Sequence, residues 1–292
     1  GVLGELSLGH AGFMSVGAFT GVTAAMALQT AIPFAPLRLA VGMAVGAVFA
    51  AMVGFLIGIP VLRLKGDYLA IVTLAFGEII KTIFTNLYVG VDQNGLHIRL
   101  LKNLSDLAED GTMIVRGPMG MGGVAKISTF TAGFVLVMIS LVVVFNLVNS
   151  RAGRAIMSIR DNRIAAESIG LHVTKYKMMA FVVSASLAGA AGALFAMNYS
   201  TIVASKFDFN TSILVLVFVV LGGLGSIRGS IIAAALLYVL PELLRGFDIA
   251  EYRMLIYAII LILVMLITNN PVIQNFINAK FKKKRKKEGA VK

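Results

Sequence analysis

Residues Thr129–Asn149 read TFTAGFVLVMISLVVVFNLVN, a run without a single charged side chain. Lipid offers no hydrogen-bond partner to exposed backbone, so an apolar run of about 20 residues crosses a bilayer as a helix that satisfies its own amides. Similar runs lie at Leu6–Leu28, Leu39–Ile59, Tyr68–Tyr88, Met178–Asn198, Ile227–Leu244 and Met254–Thr268. One more, Ser212–Leu221, is half that length and stops at Gly222. Together they predict an all-α integral membrane protein with about eight transmembrane or half-membrane helices. The composition agrees: 292 residues, 58% hydrophobic and 14% charged, with a mean hydropathy of +0.90.

The net charge of +12 would suggest nucleic acid in a soluble chain. Here the basic residues sit between and after apolar runs, where they act as topology signals, and no nucleic-acid partner is expected. The polybasic tail 280–292 is expected in the cytoplasm, where anionic lipid attracts it. So is the loop at about 150–177, with Arg151, Arg154, Arg160, Arg163, Lys175 and Lys177 against Asp161 and Glu167. Counting back from the tail places both ends inside and a segment at about 89–128 outside, which leaves residues 1–279 as one transmembrane domain. The chain has no cysteine, and His10, His97 and His172 lack metal-ligand spacing, so no metal site is expected. No phosphate-cradling loop, HExxH or Gly-x-Ser-x-Gly is present. Because Gly1 opens inside a patterned segment with no basic n-region or cleavage site ahead of it, a missing N-terminus is expected rather than a signal peptide.

Three stretches break the plain-helix pattern. GELSLGHAGF, Gly4–Phe13, and LGGLGSIRGS, Leu221–Ser230, place glycines and hydroxyls inside apolar sequence. Such pairs mark either close helix packing or discontinuous helices that line a transport path. The third is Glu78 with Lys81, three apart in the Tyr68–Tyr88 run and therefore on one helix face. An intramembrane charge is a functional candidate, unless the segment lies near the interface and Lys81 snorkels. The path candidates are Ser7, Gly9, His10, Glu78, Gly222, Gly223, Gly225 and Ser226.

Within the basic loop, Asp161–Ile169 reads as a short helix capped by Asp161 or Asn162 and stopped by Gly170. Ala165 and Ala166, flanked by Arg163 and Glu167, form a small-residue face. It suits either docking on a partner or a solvated turn.

Four ordered blocks then carry a resemblance. GELSLGHAGFMSVGAF, LRLKGDYLAIVTLAFGEIIK, GRAIMSIRDNRIAAESIG and LGGLGSIRGSIIAAALLYVLPELLR resemble the signature blocks of LivM-type inner-membrane permeases of branched-chain amino acid ABC importers. The resemblance implies a multi-pass subunit of the cytoplasmic membrane of a bacterium or archaeon, itself not an enzyme. Its implied partners are a second homologous permease, two ATP-binding subunits and an extracytoplasmic substrate-binding protein. No cofactor is implied in this chain, since ATP and Mg belong to the partner subunits. The implied cargo is leucine, isoleucine or valine. The importer family docks its ATPase through a loop of the form EAA-x-x-x-G, which Ile164–Gly170 resembles with Ala165, Ala166 and Gly170 in place and Ile164 where the motif has Glu. On this resemblance Asp161, Arg163, Ala165, Ala166, Glu167 and Gly170 are the coupling candidates. The segment Val89–Ser128 resembles the family only around DQNGL, Asp92–Leu96. Competing readings are an ABC permease for urea, short amides or other amino acids, and a proton-coupled secondary transporter using Glu78 or His10.

Overall fold

The computed structural model describes residues 2–29, 31–64, 66–92, 95–100, 112–223, 225–245, 259 and 262. The chain divides into two compact units, Gly1–Leu214 and Val215–Lys292, taken separately below.

The first unit opens with a non-helical stretch that gives way to α1, His10–Ala27. The run had been expected to turn helical at Leu6. It starts later, at His10, and the amides before it go elsewhere: Leu8 donates to Thr73 Oγ1 at 3.0 Å and Gly9 to Ser7 Oγ. Then follow α2, Ala35–Val61, with a proline in its first turn where the missing N–H costs nothing, and α3, Asp67–Thr85. The expected run to Tyr88 ends early, because the chain leaves α3 for a strand. β1 (Leu87–Asp92) is the centre of a three-stranded antiparallel sheet, with β2 (Gly95–Leu100) and β3 (Thr112–Arg116) on either side. β4 (Met121–Gly122) pairs with β5 (Thr201–Ile202). The helical fold thus carries a small β cap where only a loop was expected.

α4, Phe130–Asn149, begins at Thr129, whose Oγ1 accepts from the Ala132 amide at 3.2 Å. Two short helices follow, α5 (Arg151–Asp161) and α6 (Arg163–Ser168), and then α7, Val173–Ala196. α7 starts before the expected Met178. α8, Phe209–Leu221, is preceded by a 3-10 turn at Ala204–Lys206. With that turn, Ala204–Leu221 is long enough to cross a membrane. Among the described residues five segments qualify as spans: α2, α3, α4, α7 and Ala204–Leu221. α9, Ile227–Arg245, has a shorter apolar part, Ile227–Val239. Of the expected span Met254–Thr268 only 259 and 262 are described, both helical, and the tail 280–292 lies outside the described residues.

The core of the first unit is the crossing of α1, α2 and α7, where small residues let backbone meet backbone. A Cβ on Gly17 would collide with the backbone of Gly189, and one on Gly46 would lie 2.7 Å from the Gly17 carbonyl oxygen. In a bilayer, where lipid tails match the side chains in polarity, such close approach is what holds helices together. At one end of the crossing Phe19, Val22, Ala193 and Met197 pack with Val89, Val115 and Ile202, which seats the β cap on the helices. At the other end Phe13, Ala50, Ile57, Leu69 and Phe181 form a second cluster. α4 buries none of its residues.

Candidate functional site

The coupling candidates fall on one compact element. Asn162, not Asp161, caps α6: its Oδ1 accepts from the Ala165 amide at 3.1 Å. Asp161 is the last residue of α5 and binds the Arg160 guanidinium through Oδ1, at 2.9 Å from Nε and 2.8 Å from Nη2. Arg163 Nε donates to Glu167 Oε1 at 2.9 Å, one turn along the exposed side. Gly170 has φ of +85°, the left-handed region that a stop residue needs. Its amide donates to the Glu167 carbonyl at 3.0 Å, and the Leu171 amide to that of Ala166 at 3.1 Å. These two bonds close the helix in a Schellman motif.

The small-residue face does not stay together. Ala166 is buried, 2% exposed, against Ile159 and Val173, so it anchors α6 to α5 and α7. Ala165 faces outward with Ile164 and Ile169, which are 78% and 76% exposed. Two bulky apolar side chains thus stand in the open as an apolar knob on a capped turn of helix. The sequence marks Ile164 as the residue standing where the motif has an acid, but not that it and Ile169 are exposed together.

The basic loop around α6 is also less of a loop than expected. α5 is amphipathic, burying Gly153, Ala155, Ile156 and Ile159. Lys177, counted above among the topology charges, is 5% exposed and lies inside α7, where its Nζ meets Glu5 Oε1.

Of the path candidates, Ser7, Gly9 and His10 sit at the junction of α1, α3 and α7. His10 Nδ1 lies 3.3 Å from the Ser7 carbonyl oxygen and Nε2 2.9 Å from Ser184 Oγ. A carbonyl only accepts, so Nδ1 donates to it, and Nε2 shares a hydrogen bond with the Ser184 hydroxyl, which can donate or accept. Both nitrogens are thereby occupied. The Ser7 hydroxyl accepts from the Gly9 amide at 3.4 Å, and a Cβ on Gly9 would lie 2.6 Å from the Thr73 carbonyl oxygen. Glu78 pairs with Lys81 as the spacing predicts, their side chains 37% and 24% exposed.

The remaining candidates lie in the second unit. Gly223 and Gly225 have φ of +93° and +89°, and Ser226 caps α9 by accepting from the Gly229 amide at 3.2 Å. Leu221 and Phe218 pack on Ala233 and Leu237. The Gly222–Ser226 interruption is therefore the turn of a helical hairpin, with Gly222 set against the backbone of Gly229 and Ser230. Among the described residues no three His, Cys, Asp or Glu side chains gather as a metal site.

The chain is also similar in sequence to known proteins. Residues 1–265 match the family described as the permease component of the branched-chain amino acid transport system. The chain is 36% identical to the high-affinity branched-chain amino acid transport system permease protein LivM of Escherichia coli, over 91% of its own length and 63% of that protein's. It is 35% identical to the Salmonella typhimurium LivM protein over the same shares. It is 25% identical to the probable LivM protein of Methanocaldococcus jannaschii, over 70% of its length and 56% of that protein's. It thus spans somewhat less than two thirds of these relatives. No solved structure matches.

Proposed function

Since the chain belongs to the branched-chain amino acid transport permease family, we propose that it is a membrane subunit of an ABC importer that moves leucine, isoleucine or valine across the cytoplasmic membrane. The chain pairs with a second homologous permease, and separate ATP-binding subunits supply the energy. A substrate-binding protein delivers the cargo on the outer side.

One observation carries the reading. α6 is capped at Asn162, closed at Gly170 and anchored inward by Ala166, and it presents Ile164, Ala165 and Ile169 outward. An element so fixed can transmit a push only if something docks on it, and in this family the docking partner is the ATPase. With Ile164 in place of the acid, the knob enters an apolar pocket rather than forming an ion pair. Proton coupling has less to rest on: Glu78 is already paired with Lys81, and His10 is held between Ser7 and Ser184.

The test is uptake of labelled leucine into proteoliposomes holding the full-length permease and its partner subunits, each omitted in turn. ATP-dependent uptake lost when either the ATPase or the binding protein is left out supports the reading. Uptake driven by a proton gradient without ATP sinks it. Transport of urea or a short amide in place of leucine would move the cargo to the competing class.

A further inference from the structure

The non-helical stretch before α1 is tied down at both ends. At Gly4, φ is +77°, and a Cβ there would lie 2.5 Å from Arg160 Cγ and 3.2 Å from Cδ, so the chain runs against the stem of a residue in the last turn of α5. The next residue, Glu5, meets Lys177 in the first turns of α7. At the far end, the Leu8 amide is bonded to Thr73 of α3, and His10 is bonded to Ser184 of α7. Ile159 of α5, Ala166 of α6 and Val173 of α7 form one buried cluster, so the near end of this strap is fixed to the base on which α6 stands.

The ion pair is oddly built for a stability device. The Lys177 side chain is 6% exposed and that of Glu5 18%, while Glu5 Oε2 is buried without a hydrogen-bond partner among the described residues. Burying two charges costs about what their attraction returns, and an apolar pair of equal volume is often as stable. What a buried pair supplies instead is a fixed registry: it holds only when both partners are present and aligned. Here the registry is between the strap and the helix that leaves α6.

We propose that Glu5 and Lys177 form the latch that carries movement of α6 along the strap to α3 and the start of α1, making them positioning residues of the transport cycle. This rests on the coupling role of α6 proposed above. The strap links that cytoplasmic base to Thr73, one turn before Gly77, whose backbone faces Gly9 and Gly12. A shift of α6 thus reaches the α1–α3 contact without passing through the glycine crossing.

The experiment uses the assembled transporter with full-length permease, and reads leucine uptake and ATP hydrolysed per leucine. For Glu5→Gln we expect assembly, uptake reduced by about tenfold and more ATP spent per leucine. The exchanged pair Glu5→Lys with Lys177→Glu should recover most of both. Thr73→Val, at the far end of the strap, should uncouple in the same way while leaving the ion pair intact. Wild-type ATP per leucine in Glu5→Gln overturns the latch, as does a proportional fall of uptake and hydrolysis. If Glu5→Gln does not assemble, Thr73→Val decides, and its normal coupling overturns the proposal. Ile164→Arg serves as the control: if that variant couples normally, the docking role of α6 fails, whereas if only the strap variants behave as wild type, the latch alone fails.

Discussion

α4 and α7 are both long, apolar and uncharged through their middles, yet α4 buries nothing and α7 buries Phe181, Ala185, Gly189, Ala190, Gly192, Ala193 and Ala196. The difference lies in side-chain size. α7 carries its small residues in a stripe that lets α1 and α2 come to backbone distance, whereas α4 is lined with Phe, Val, Ile and Met that stand outward. Hydropathy therefore marks where a chain crosses lipid, and small-residue spacing marks what the crossing touches.

The sharpest way to break this comparison is to put the same side chain on each helix. Gly189→Leu must displace the backbone of Gly46 and should cost more than about 4 kcal/mol, seen as loss of folded protein on detergent extraction. Gly133→Leu in α4 sets a Cβ in ordinary contact with Leu194 Cδ2, at 3.7 Å, its one neighbour within 4 Å among the described residues, and should shift stability by about 0.5 kcal/mol or less. Equal damage from the two would refute the contrast.

Next in size, Gly170→Val forces a β-branched residue to positive φ and opens the end of α6. Uptake should fall about a hundredfold or more, while membrane insertion remains at the wild-type level. Normal uptake would show that α6 need not be closed. A smaller effect follows from Ile164→Arg, at an exposed position: thermal stability stays put, and uptake and ATPase co-purification fall by about tenfold. Smallest of all, Asn162→Ala removes the cap and should lower stability by about 1 kcal/mol, read as a melting point a few degrees lower with uptake largely kept.

What the sequence disclosed follows the range of the forces involved. The presence of α6, its Gly170 stop and the Glu78–Lys81 pair depend on residues a few positions apart and were legible, whereas the sequence does not choose between Asp161 and Asn162 as its start, and Asp161 proves to end α5. α5 was legible in principle, since Ile156 and Ile159 lie on one helical face, but the surrounding arginines made the segment read as a basic loop. Part of the β cap was legible in principle, since Leu96–Leu100 alternates strictly and only two residues separate β1 from β2; but Leu87–Val91 shows no such alternation, and β3 pairs with β1 from beyond residue 111. Nothing local could announce the meeting of Glu5 and Lys177, which stand 172 residues apart. The split of the alanine face was equally hidden, because only the packing of Val173 decides which of Ala165 and Ala166 turns inward.

The lengths of α2 and α4 carry a consequence of their own. At about 1.5 Å per residue, the 20 residues of α4 match a hydrocarbon layer of about 30 Å. The 27 residues of α2 reach about 40 Å and must tilt or emerge into the headgroups. A thinner bilayer therefore presses α2 further over, while a thicker one strands the ends of α4 in acyl chains. The host membrane's thickness sets a mechanical load on the helix that the glycine crossing grips, so a change in lipid chain length reaches the core of the first unit through α2.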